Sequence, residues 1–155
     1  MGATFSQRIT DAMPFLDGVA DRVQPKVQAV IDRGGARLRN VVDGVWFGSP
    51  LHPALTDVPV GSWTAAITFD ALNVATGSRA LRNAADASLA LGVAGGFAAA
   101  ALGLSDWRYL SGGSRRMGTA HALLNTGGLA LSTARMSVSC PKGSFISGLS
   151  VSSAS

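Results

Sequence analysis

Residues 87–105 run nineteen positions without a charged side chain. That is close to the ~20 apolar residues needed to cross the roughly 30 Å hydrocarbon core of a bilayer. No water is available there, so such a segment must be helical to satisfy its own backbone. The expectation that follows is an all-α transmembrane bundle.

Composition agrees. Hydrophobic residues make up 47% of the chain and charged residues only 14%. The length suits one bundle of three or four spans. All nine acidic residues are Asp, and eleven of the thirteen basic residues are Arg. This bias fits a GC-rich bacterial genome. A net charge of +4 is ordinary where Arg flanks membrane spans, and no basic stripe interleaves with aromatics, so nucleic acid is not expected as a partner. The single cysteine, Cys140, excludes an internal disulfide and a Cys-rich metal site. No cleavable signal peptide is evident at the N-terminus.

Three domains are expected: residues 1–47, 48–136 and 137–155. In the first, apolar positions recur at helical spacing from Leu16 to Val45 with Arg22, Lys26, Arg33, Arg37 and Arg39 between them. Pro25 and Gly34-Gly35 are expected to divide it. A basic amphipathic segment before a span either lies on an anionic membrane surface or packs as a helical hairpin on the end of the bundle. The second region should hold spans at about 53–76, 85–105 and 117–134, with Pro53 in the first helical turn and Gly77-Ser78 as a stop. Positive charge concentrates in the N-terminal segment and the 107–116 loop, against Arg79, Arg82, Arg135 and Lys142 on the other side. This places the N-terminus in the cytoplasm of a multi-pass inner (plasma) membrane protein. Residues 137–155, with eight serines, read as a disordered tail. They abandon the Ala/Arg bias of the rest, which suggests a frame change or truncation near Met136 that removed a fourth span.

Stepping through each span by three or four selects one small or polar face. On the first it is Asp57, Gly61, Thr64, Thr68 and Ala71. On the second it is Ser88, Gly92, Gly96, Ala99, Gly103 and Asp106. On the third it is Ser114, Gly118, His121, Asn125, Gly128 and Ser132. These faces are expected to form the bundle interior, with Gly61, Gly92, Gly96, Gly103, Gly118 and Gly128 as packing positions. Alternating direction then gathers His52, Asp57, Asp106, His121 and Asn125 at the cytoplasmic end. Ionisable groups at membrane depth are costly and mark function, and Asp57 is the expected partner of His121. Alternatively, Asp57 and Asp106 pair with the loop cations Arg108, Arg115 and Arg116 and pin the loop. In that case His121 and Asn125 serve only as interhelical hydrogen bonds.

The run Gly48-Ser49-Pro50-Leu51-His52-Pro53-Ala54-Leu55-Thr56-Asp57-Val58-Pro59-Val60-Gly61-Ser62-Trp63-Thr64 resembles the bacterial membrane proteins catalogued as domain of unknown function 2231. So do Gly103-Leu104-Ser105-Asp106-Trp107 and Arg116-Met117-Gly118-Thr119-Ala120-His121-Ala122-Leu123-Leu124-Asn125. The resemblance covers about residues 45–135 and implies a multi-helix integral membrane protein. Relatives are sometimes fused to Rieske-type iron–sulfur domains, which implies an electron-transfer setting and a Rieske-type or other redox partner. Members usually continue into a fourth span.

Three functions are compatible with these residues. The first is a redox-associated subunit holding b-type haem through His121 and His52. The second is a small proton or ion relay, or transporter, using Asp57, His121 and Asn125. The third is a structural subunit without chemistry, self-associated into a homo-oligomer or part of a larger complex in the lipid bilayer. No nucleophile–base pair, phosphate loop or metal cluster is present, so the chain does not read as an enzyme.

Overall fold

A computed structural model describes residue 8, residues 11–49 and residues 51–139. Pro50, Cys140, Lys142 and most of the Ser-rich tail lie outside the described residues. The described chain is helical: α1 (Phe15–Arg33), α2 (Gly35–Val42), a 3-10 turn (Val45–Phe47), α3 (Leu51–Thr76), α4 (Arg79–Trp107) and α5 (Gly112–Ser139).

The breaks fall where backbone chemistry puts them. Gly35, at φ 69°, separates α1 from α2, and Gly77, at φ 67°, turns the chain between α3 and α4. Left-handed backbone of this kind is readily adopted only without a Cβ. Ser78 then caps α4, accepting a hydrogen bond from the Leu81 amide. Pro25 sits inside α1 without ending it. The packed stripe Leu16, Ala20 and Ile31 runs on both sides of it and holds the helix on its neighbours.

α3 and α4 form a long antiparallel hairpin, α5 lies along α4, and α1 crosses the hairpin's end. The basic N-terminal segment packs as a helical hairpin on the end of the bundle. Gln24 Nε2 donates to the carbonyls of Arg108 and Leu110, both at 3.0 Å, closing the C-terminus of α4. Asp17 pairs with Arg115 and Arg116, Asp21 with Arg115, and Asp11 with Arg116. At the opposite end Arg135 of α5 pairs with Asp70 of α3.

Arg116, and with it Arg115, holds the Asp17 carboxyl below its ordinary range. A lowered folded value stabilises the clamp above the ordinary carboxylate range and is lost as pH falls through the folded value. Acidification below about pH 4 is therefore expected to release α1 from α5. Hydrogen exchange of residues 15–33 should rise in that window, and Asp17→Asn should show the rise already at neutral pH.

Small residues make the interior. α4 buries Ala85, Leu89, Gly92, Val93, Gly96, Ala99, Ser105 and Trp107; of the expected face, Gly92, Gly96 and Ala99 are buried, Ser88, Gly103 and Asp106 are half-buried, and the larger Leu89 and Val93 turn inward beside them. Large apolar side chains point outward instead: Ile67 is 68% exposed, Val74 85%, Phe97 58%, Leu124 78% and Leu131 74%. Among the described residues, one helix, α4, is apolar enough as well as long enough to cross a membrane. α3 and α5 match it in length, at 26 and 28 residues. They carry Asp57 and Asp70, and Arg115, Arg116, His121 and Arg135, and fall short on composition.

The expected interior face of α3 is corrected. Asp57, Gly61, Thr64, Thr68 and Ala71 are exposed, and Pro59, Ser62 and Ala66 are buried in their place. Two causes act together. A Cβ at Gly92 would fall 2.5 Å from Trp63 Cδ1 and one at Gly96 would fall 3.5 Å from the same ring, so the indole occupies a glycine groove and sets the helix rotation. The threonines need no partner across the interface either. Thr64 Oγ1 donates to the Val60 carbonyl and Thr68 Oγ1 to that of Thr64, both at 2.8 Å.

Candidate functional site

A cleft of about 260 Å³ lies between α3, α4 and α5 at the end that α1 crosses; a second, of about 210 Å³, lies toward the Arg135 end and is lined by Trp63, Ile67 and Leu131. The walls of the first are mostly apolar or small, and its polar groups include His52, Thr56, Asp106, His121, Asn125 and Thr126. Four of the five residues expected to cluster are therefore brought together. Asp57 is not: it is exposed, with no hydrogen bond or ion pair among the described residues. His121 faces another imidazole in place of the expected carboxylate.

His52 lies in the first turns of α3. Its Nδ1 is 2.8 Å from the Ala99 carbonyl oxygen. A carbonyl only accepts, so Nδ1 carries the proton and donates. In the neutral ring Nε2 is left with a free lone pair. The imidazole reaches that carbonyl because position 103 has no side chain: a Cβ there would fall 2.9 Å from both Cε1 and Nδ1 of His52.

His121, in α5, sits with its ring centre 6.2 Å from that of His52 and its plane at 86° to it. The Asn125 amide donates to the His121 carbonyl at 2.8 Å and lies 3.2 Å from Nε2 of the ring. His121 and Asn125 are exposed, so the cleft opens between α3 and α5.

α5 is set against α4 by a second aromatic seated on a glycine. A Cβ at Gly118 would fall 2.7 Å from Trp107 Cδ1, and Trp107 Nε1 donates to Thr119 Oγ1 at 3.2 Å. Leu129 closes the far end of the cleft over Gly96. Gly61 and Gly128, also expected to pack, have open space where a Cβ would stand.

The loop cations find carboxylates other than the expected ones. Arg115 and Arg116 pair with α1, as above. The Arg108 side chain is 0% exposed and pairs with Asp43 at 2.8 Å. Ser105 Oγ donates to Asp43 at 2.6 Å and accepts from Arg108 Nη1 at 3.0 Å. The Tyr109 hydroxyl donates to the same carboxylate at 3.0 Å, and Arg108 stacks 4.4 Å from its ring centre. Sequence reasoning overlooked Asp43, Ser105 and Gln24. The only trace of Asp43 is an acid standing just after a run of arginines.

Residues 48–140 match the family described as "Predicted membrane protein (DUF2231)". No curated protein and no solved structure matches the chain.

Proposed function

The chain belongs to this family of predicted membrane proteins, and we propose that it is a redox-associated subunit. In this reading α3, α4 and α5 cross the bacterial inner membrane, and the cleft between them holds b-type haem. The outward Ile67, Phe97, Leu124 and Leu131, around an interior of glycine, alanine and serine, suit a lipid surround better than water. Arg22, Lys26, Arg33 and Arg37 join Arg108, Arg115 and Arg116 at one end, which the positive-inside rule assigns to the cytoplasm.

The observation that carries the haem reading is the imidazole pair. His52 and His121, with ring centres 6.2 Å apart, would be the two residues to hold the iron. His52 also has the tautomer a ligand needs. Metal-binding histidines typically donate the second ring N–H to a carbonyl or carboxylate, which fixes the ring and leaves the other nitrogen basic, and the Ala99 carbonyl fills that role. Ala100 and Leu104 add an apolar wall beside the pair. Bound haem would supply reversible one-electron transfer, while the chain would ligate, orient and shield it. A Rieske-type or other redox partner would exchange the electron.

Visible spectra of the detergent-purified protein, oxidised and dithionite-reduced, test this. A sharp reduced band is expected, absent in His121→Ala. Gly103→Ala should keep the fold but displace His52 from the Ala99 carbonyl, weakening haem retention about 10–100-fold, the scale of losses in groups that support a ligand. A protein that stays colourless when expressed with excess haem would overturn the reading. It would leave the imidazole pair to proton movement or to packing.

A further inference from the structure

Val45, Trp46 and Phe47 are 63%, 67% and 55% exposed, three consecutive large apolar residues on one short turn. The turn is not a slack loop. Gly44 and Gly48 bound it at φ 68° and 75°. A Cβ at Gly44 would fall 2.1 Å from the Ser49 carbonyl oxygen, so only glycine closes it. The two rings stack edge to face, with centres 5.7 Å apart. Asp43, immediately before, is bound by Arg108, Ser105 and Tyr109 at the C-terminal end of α4. The turn is therefore held rigidly beside the ends of α3 and α4, level with the charged layer that Arg108, Arg115 and Arg116 mark.

We infer that this turn inserts into the headgroup layer of the bilayer and fixes the depth and tilt of the bundle. Three points favour lipid as its occupant. The turn stands at the charged end of α3 and α4, whose outward apolar side chains include Val58, Ile67 and Phe97. Trp and neighbouring aromatics are favoured at the membrane–water boundary because an apolar ring body can be buried while the indole N–H stays wet. A pre-formed turn also inserts without the cost of ordering a loop. Arg22, Lys26 and Arg33 lie on the face of α1 opposite its packed stripe of Leu16, Ala20 and Ile31 and point away from the bundle.

The inference rests on the membrane-crossing bundle proposed above, and the test separates the two. Spin labels are placed singly at Val45→Cys, Ile67→Cys and Arg37→Cys in a Cys140→Ser background, in the full chain reconstituted in phosphatidylcholine–phosphatidylglycerol vesicles. The ratio of collisions with oxygen to collisions with a water-soluble nickel complex is read at each. At position 45 it should be several-fold above that at 37 and below that at 67, which places the turn at headgroup depth. A water-like ratio at 45 with a lipid-like ratio at 67 overturns the anchor and leaves the bundle intact. Protection of 45 from both reagents means that protein covers the turn, which also overturns it. Water-like ratios at both 45 and 67 overturn the crossing bundle itself.

Discussion

Asp43→Ala is expected to cost the protein about 3–5 kcal/mol, the usual penalty for leaving a buried charge unpaired. Arg108 has no exposed side-chain surface, and both oxygens of Asp43 accept from its Nη2, at 2.9 and 2.8 Å. The Tyr109 and Ser105 hydroxyls would remain near the guanidinium, yet neither carries the compensating charge. For a chain of this size, this penalty corresponds to a fall in melting temperature of roughly 6–20 °C, readable by thermal shift in detergent. The loss comes from stranding Arg108, so the double variant Asp43→Leu/Arg108→Met should recover most of it. No recovery would mean that the pair specifies the fold.

Gly92→Leu is the second large effect. With its first carbon 2.5 Å from Trp63 Cδ1 and 2.6 Å from Nε1, the leucine leaves the indole nowhere to sit, and α3 must lift from α4. Overpacking of this kind typically costs about 1–3 kcal/mol, and the hairpin is the main interface of the bundle. Lower monodispersity in detergent and a depressed melting temperature are expected. Shrinking the knob should restore both, so Gly92→Ala combined with Trp63→Leu is predicted to behave closer to wild type than Gly92→Leu does. If Gly92→Leu is as stable as wild type, Trp63 does not pack there.

The same contacts show what could be read from the chain. The three long helices were legible because glycine pairs and charge-free runs mark their ends and middles. The inward face of α4 was legible at Gly92, Gly96 and Ala99, where small residues at i, i+3 and i+4 admit a neighbouring helix, but not at Leu89 and Val93, which also turn inward. The inward face of α3 was not. Its threonines bond their own helix's carbonyls, and only the partner surface reveals that Trp63 has a glycine groove to fill. Topology alone sufficed to bring His52 and His121 to one level. The choice of Asp57 as partner failed, because residue 57 lies on the exposed side of the helix whose rotation Trp63 sets. The His52 tautomer and the Gly103 gap that permits it depend on a sub-ångström fit that no spacing encodes.

The Arg108–Asp43 latch and the α1–α5 ion pairs hold the N-terminal hairpin on the end of the bundle that contains the cleft. The side of the cleft between α3 and α5, where His121 and Asn125 are exposed, stays open.

Low-temperature electron paramagnetic resonance of the oxidised, detergent-purified protein tests the central claim most directly, because it reads how many imidazoles an iron carries. The account predicts a low-spin ferric signal of two-imidazole character that becomes high-spin or vanishes in His52→Ala and in His121→Ala. A sample without haem iron, or an iron signal unchanged by both substitutions, would contradict it.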